Sequence, residues 1–295
     1  MFPAPAMPEL PPGQSTVTTT VVRYEDLSQE GRYLPIALPS IQSGLWRDVL
    51  TTHAGARNSL KSGIVPVLTR MVMTSLPQPI HVNRPIETNA GFELAHGVDH
   101  TGAVDKLFML VWSEVRGAAG RVSPHSQPGP LALAGRLFAE QTFTRLMAPP
   151  DKRKVTRLDV EGYPPVPERL YRQPPPASAQ EAPEGATWLD ELAPDTADYA
   201  FSLDQTDANQ HVNSLVYIRL FLEAANRRFA DRGKSGPGGK LCTREVDIAY
   251  RKPSFAGERV RAQLRMFEHA NGLGVAGFIA GTDGKPRVYV RADVG

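Results

Sequence analysis

One cysteine, Cys242, stands in a chain of 295 residues. A single thiol excludes an intramolecular disulfide and any metal site built from several cysteines. Its place at the start of a strand makes it a filler. No apolar run approaches the roughly 20 residues that span a bilayer. The opening residues, MFPAPAMPELPPG, have neither the basic nor the apolar region of a secretory signal, so a soluble cytoplasmic protein is expected. Charge of one sign is also lacking: 33 Lys and Arg against 31 Asp and Glu leave a formal net charge of +2. The arginine-bearing stretches alternate with apolar residues, the pattern of solvated strand faces, and nucleic acid is not an expected partner. Aromatics are only 7% of the chain, but apolar residues make up 41%. That suffices for real cores and excludes global disorder. Two domains of roughly 100–150 residues each fit this length.

Proline, by contrast, is concentrated in two places. Residues 1–15 are expected to be disordered, and residues 161–190 to form an exposed, semi-extended linker, because proline lacks an N–H and breaks helices and central strands. These stretches bracket a first domain over 16–160 and a second over 191–295. In the second, Leu215, Ile218, Leu222, Ala225 and Phe229 form one apolar stripe, which predicts a helix of four to five turns. Arg227, Arg228 and Arg232 gather at its C-terminal end, where cations suit the dipole. Gly233 fits the residue just past the helix, and Ser235–Gly239 reads as a loop, with no strand before it and no helix after it to make a phosphate site.

Beyond that loop the period changes to two. Val246, Ile248 and Tyr250 alternate with Glu245, Asp247 and Arg251; Val260, Ala262, Leu264 and Met266 alternate with Arg259, Arg261, Gln263 and Arg265. Gly274–Ala280 and a segment holding Val288 and Val290 complete four antiparallel strands. One helix followed by such strands predicts an α+β architecture with the helix wrapped by the sheet. The first half repeats the order. Thr16–Arg23 is β-rich, Leu38, Ile41, Leu45 and Val49 predict a helix, and strands follow at 64–75, 79–95, 104–116 and 131–147. Met71, Met73, Phe108, Met109 and Trp112 are core candidates on these strands. The shared order points to duplication.

The chemistry-bearing run is 204–217, Asp-Gln-Thr-Asp-Ala-Asn-Gln-His-Val-Asn-Ser-Leu-Val-Tyr. Asp207, Asn209, His211 and Asn213 recur at every second position immediately before the helix. An extended backbone would point all four to one side, toward N–H groups that lack intrahelical partners and attract a developing oxyanion. Asp207 or Asn213 could equally cap the helix. His96 and His100, with Asp99 between them, lack a further ligand at useful spacing and read as a surface turn rather than a metal site.

Asp207-Ala-Asn209-Gln-His211-Val-Asn213-Ser-Leu-Val-Tyr217-Ile-Arg-Leu-Phe-Leu-Glu223 resembles the signature of acyl-ACP thioesterases, Asp-x-Asn-Gln-His-Val-Asn-Asn-x-x-Tyr-Ile-x-x-x-Leu-Glu. Outside it the match is thinner, at Val246–Lys252 and Ala139–Arg157. The resemblance implies two tandem hotdog domains, each a long central helix wrapped by an antiparallel sheet, packed as an internal pseudo-dimer that stays monomeric or pairs into a homodimer. It places the catalytic set in the second domain and leaves the first, whose Tyr24–Gly31 contains no Asn-x-His, to shape the acyl pocket. It implies hydrolysis of an acyl thioester carried on acyl carrier protein or coenzyme A, with no metal or other cofactor. Asn209 and His211 would act at the thioester, Asp207 would orient or charge them, and Asn213, Tyr217 and Ser254 would support the site. Plant members carry Tyr-Arg-Arg-Glu-Cys on the following strand, with the Glu as water activator. This chain has Tyr250-Arg251-Lys252-Pro253-Ser254, which shifts the role of base or nucleophile to Asp207, with Glu223 and Glu258 the other carboxylates in range. Two rivals remain: a hotdog dehydratase or hydratase of 3-hydroxyacyl thioesters with His211 as base, and a non-catalytic acyl-binding protein.

Overall fold

Alternating apolar residues build most of the strands that the sequence predicts. The computed structural model describes residues 3–121, 127–235, 241–270 and 272–295, so most of the Ser235–Gly239 loop lies outside the described residues. The chain divides into two units, Met1–Pro174 and Pro175–Gly295.

The first unit contains β1 (Ser15–Val21), β2 (Ile64–Ser75), β3 (Pro85–Val98), β4 (Val104–Ala118) and β5 (Leu131–Arg145). Their order is β1-β3-β4-β5-β2, with every neighbouring pair antiparallel. The helix expected through Leu38–Val49 is broken. A 3-10 segment at Pro35–Gln42, a π turn at Leu45–Leu50 and an α-helix, α1 (Ala54–Lys61), replace one long element. Pro39 inside the first segment removes a backbone donor. Gly44 follows, and a Cβ there would come within 2.8 Å of Thr18 on β1. Leu38, Ile41, Leu45 and Val49 are nevertheless all buried. Their spacing reports which side faces the core, not whether the helix is continuous.

Both proline-rich expectations need correction in this unit. Of the first 15 residues, those described, 3–15, are not a disordered tail: Ala4 is buried, and its N–H donates to the Thr74 hydroxyl at 2.9 Å. Met7 and Leu10 pack with Tyr171 against Val72, Ala95, Phe108, Leu110, Trp112 and Phe138. The stretch beginning at 161 is largely exposed, but it is anchored to the first unit rather than free. Tyr163 is buried, the Tyr171 phenol donates to Glu140 Oε2 at 2.8 Å and Gln173 Nε2 to Glu140 Oε1 at 2.6 Å. Leu170 adds a parallel bridge to His96. Proline explains the docking as well as the absence of regular structure. A segment with few N–H groups can lie on an apolar sheet face without burying unpaired donors, and its stiff backbone loses little entropy when ordered.

In the second unit, α2 (Ser214–Asp231) precedes β8 (Thr243–Tyr250), β9 (Arg259–His269), β10 (Gly272–Gly281) and β11 (Pro286–Val294), while β6 (Thr187–Trp188) and β7 (Ala193–Ala200) come before it. The antiparallel order is β8-β11-β10-β9, and β6 and β7 both pair with β9. α2 lies on β9, β10 and β11. Ile218, Ala225 and Phe229 are buried as predicted. Phe221, fully buried, takes the centre of the stripe rather than the half-buried Leu222. Trp188 and Phe267 meet edge to face, Arg265 lies 3.4 Å from the Trp188 ring centre, and exposed Arg261 pairs with Asp198.

One polar strand face is not solvated. Glu245 stands opposite Asp293 and Asp247 opposite Arg291. Asp247, Arg291 and Asp293 are buried beneath the short 3-10 segment Pro176–Gln180, whose Ala179 is fully buried. Arg291 donates to the Glu181 carbonyl at 2.5 Å. Burial and the neighbouring Asp293 together push the Glu245 carboxyl from its ordinary 4.5 up to about 7. A carboxyl whose folded-state pKa is raised stabilises the fold most below its unfolded pKa, and that contribution is lost as pH rises through the folded value. Glu245→Gln, neutral at every pH, should therefore lose less melting temperature than wild type between about pH 5 and about pH 8. Equal losses in the two proteins would contradict this account.

Candidate active site

The start of α2 needs partners for N–H groups that the helix cannot supply itself. Asn213 is the cap: its Oδ1 accepts the Leu215 N–H at 2.9 Å. Just before it, the run Asp207–His211 is not the extended strand that period-two spacing predicted. It is a tight loop. The Asp207 N–H donates to the His211 carbonyl and the Gln210 N–H to the Asp207 carbonyl, each at 2.9 Å. Asp207 Oδ1 accepts the Asn209 N–H at 2.8 Å, the self-bonding turn that an aspartate favours. Gln210 has φ 63°, the left-handed region, and no other described non-glycine residue has a positive φ. Thr206 and Val212 close the base as an antiparallel bridge.

Three contacts fix this loop to the second unit. Val212 is buried and its N–H donates to the Ser254 carbonyl at 2.9 Å. The Asn213 N–H donates to the Gln205 carbonyl at 2.9 Å. Ser254, fully buried, donates its own N–H to the Tyr217 phenol oxygen at 2.9 Å. The structure thus joins Val212, Tyr217 and Ser254 through named bonds, while Asn213, next to Val212 in the chain, is bonded to Gln205 and Leu215. Asp207 and Asn209 are exposed at the loop tip, and His211 is half-buried with its ring edge-on to Phe255, centres 5.3 Å apart. Burial raises the Tyr217 phenol above its ordinary pKa, while Ser254 works in the opposite sense through its side chain and backbone.

The other carboxylates have different fates. Glu258 is committed to Arg287, with Nε to Oε1 at 2.7 Å. Glu223 is exposed and helps line a cleft of about 380 Å³ along the first turns of α2, together with Tyr199, Asp204, Gln205, Asn213, Val216 and Arg219. Pro253 is exposed. The sequence reading missed Phe255, and its signal was available: an aromatic residue two positions after Pro253 on an otherwise polar turn. Missing too was the pairing of the helix-end arginines. Arg227 meets Asp195 at 2.5 Å and Arg228 meets Asp190 at 2.9 Å, so side chains as well as the dipole hold them.

Among the described residues no group of three His, Cys, Asp or Glu side chains converges as a metal site. His96 Nδ1 is bonded instead to the Pro167 carbonyl at 2.7 Å. No helix of the described residues is long and apolar enough to cross a membrane.

No protein-family model and no curated protein sequence matches the chain. Solved structures do. An acyl-ACP thioesterase from Bacteroides thetaiotaomicron aligns with a TM-score of 0.58 at 13% identity, over 95% of this chain and 98% of its own. The 12:0-ACP thioesterase from Umbellularia californica aligns with 0.59 at 12% identity, over 95% and 97%. A protein from Lactobacillus plantarum, provisionally assigned as an oleoyl thioesterase, aligns with 0.63 at 16% identity, over 95% of each chain. At such identities the likeness establishes the fold, two hotdog units in tandem.

Removing the cap tests the local account. Asn213→Ala should cost about 1 kcal/mol in urea unfolding, the usual value for a lost side-chain cap. An unchanged midpoint would show that the Asn213 Oδ1 bond does not support α2.

Proposed function

We propose that the chain is an acyl thioesterase, hydrolysing the thioester of an acyl group carried on acyl carrier protein or coenzyme A. The observation that carries this reading is the position of the Asp207–His211 loop. It stands at the capped start of α2, on a fold shared with acyl-ACP thioesterases. Water adds to the thioester carbonyl carbon while the Asp207 carboxylate takes its proton. Charge develops on the carbonyl oxygen, where the Asn209 amide donates and the positive end of α2 adds its field. Collapse of the tetrahedral adduct breaks the carbon–sulfur bond. His211 protonates the departing thiolate and regains a proton from solvent, to which Asp207 releases the one it took; the products are free acid and thiol.

Supporting roles follow from the bonds. Asn213 holds the helix end, and Tyr217 and Ser254 hold the loop that flanks it. The cleft along α2 offers the carrier arm a polar path to the loop. The second unit carries this chemistry, and the first shapes the acyl chamber. No metal or redox cofactor enters these steps.

Pro253 and the Arg287-bound Glu258 favour a second reading, in which the site binds an acyl thioester without cleaving it. Thiol release from acyl-CoA and acyl-ACP substrates of graded chain length decides between them. Wild type should release thiol, and Asp207→Ala and His211→Ala should each lower kcat by about 10²-fold or more, as expected for loss of a positioned acid or base. Binding with no release, indifferent to Asp207→Ala, would establish the binding protein. A new carbon–carbon double bond without thiol would make the chain a dehydratase.

A further inference from the structure

The loop that follows β8 is built with more care than a connection requires. Arg287 on β11 is almost fully buried, and its guanidinium is aimed at this loop. Nε donates to Glu258 Oε1 at 2.7 Å, and the second amino group lies 2.5 Å from the same oxygen. The remaining amino group meets Asp283 Oδ1 at 3.0 Å and the Lys285 carbonyl at 3.1 Å. The Arg287 carbonyl receives the Arg251 N–H at 2.8 Å. Glu258 in turn spans the loop, its Oε2 accepting the Phe255 N–H at 3.3 Å. Backbone bonds with Phe201 brace the same turn: the Phe201 N–H donates to the Glu258 carbonyl and the Gly257 N–H to the Phe201 carbonyl. Gly281 leaves room for the arrangement, since a Cβ there would strike the guanidinium of Arg287.

What this loop holds up is the motif. Ser254 presents its carbonyl to Val212, the neighbour of His211, and Phe255 sets its half-exposed ring edge-on to the imidazole. We infer that Arg287 and Glu258 are positioning residues for His211, acting through the Pro253–Glu258 loop, with Phe255 as the surface that sets the imidazole's orientation. The inference rests on the thioesterase reading for its kinetic consequence but not for its geometry. A buried Arg–Glu pair suits the task because the forked guanidinium fixes direction as well as distance. It also replaces the family carboxylate's place beside the strand with a rigid backbone support.

Two measurements test it. In thiol-release assays, Arg287→Met and Gly281→Ala should lower kcat on the order of 10- to 100-fold while KM stays within about twofold, as for a catalytic group displaced by about 1 Å. Arg287→Lys should recover part of the loss by keeping one charged contact to Glu258. In parallel, the carbon–proton NMR signal of the His211 imidazole, assigned by His211→Gln, should move in Arg287→Met and Gly281→Ala toward its position in Phe255→Ala. Gly281→Ala keeps every charge, so it reports displacement even if Arg287→Met folds poorly. An imidazole signal unmoved in a folded Gly281→Ala overturns the inference, whatever the kinetics. If wild type releases no thiol, the thioesterase reading falls while the NMR comparison still decides the positioning claim.

Discussion

A helix buried along one side leaves its first N–H groups and its last carbonyls to be satisfied from outside, and α2 meets that requirement at both ends. Phe221, Ile218 and Phe229 are fully buried against the sheet of the second unit, so the helix cannot shift to find better partners. At its far end Gly233, with φ 65°, lets the Lys234 N–H return to the Phe229 carbonyl at 2.8 Å, a left-handed stop that glycine makes without strain. Arg227 and Arg228 then reach Asp195 on β7 and Asp190 just before it, drawing that part of the chain onto the helix. Asp190 also accepts the Met266 N–H, so one carboxylate ties the helix end to β9. At the near end Asn213 caps, and the preceding residues must turn back sharply to deliver it. That turn is the motif. The loop that carries the candidate chemistry is therefore also the device that ends the helix.

This double duty explains what could be read from the sequence and what could not. The stripe on α2, the alternation on β9, and the strand segments of the first half are local patterns. They survive because burial selects them residue by residue. The conformation of Asp207–His211 is not local in that sense. Its period-two spacing is compatible with a strand, but the Asp207 carboxylate bonds to the Asn209 N–H and Gln210 takes a left-handed backbone. Those choices are enforced from Ser254, more than forty residues on. Likewise Pro39 and Gly44 split a helix whose apolar stripe read as continuous, because hydrophobic spacing is blind to a missing donor and to the close approach of Thr18.

The proline-rich stretches teach a related lesson. Composition predicts that such segments form no regular structure, and they form little. It does not predict that they stay away from the core. In the first unit the outer sheet face bears Phe108, Leu110, Trp112 and Phe138, too much apolar surface to leave in water. Residues 4–10 and Tyr171 cover it. In the second unit the corresponding service falls to Pro176–Gln180, and what it covers is polar: Asp247, Arg291 and Asp293. A polar face predicted to be solvated is thus removed from water, at the cost of pairing each charge and leaving the Glu245 carboxyl poorly ionised.

Where the signature that this chain resembles is followed by a glutamate, the chain has Pro253, and the arrangement gives that residue a definite meaning. Proline cannot donate a side-chain hydrogen bond, and it disfavours helical backbone in the residue before it. At that position it stiffens a turn whose next residue must present both its N–H, to Tyr217, and its carbonyl, to Val212. Glu258, the nearest alternative carboxylate in sequence, is paired with Arg287 and occupied with the Phe255 N–H. Asp207 is exposed at the tip of a loop whose base is clamped from both sides. Rigidity beneath and solvent above is a workable setting for a hydrolase, since water is the second substrate.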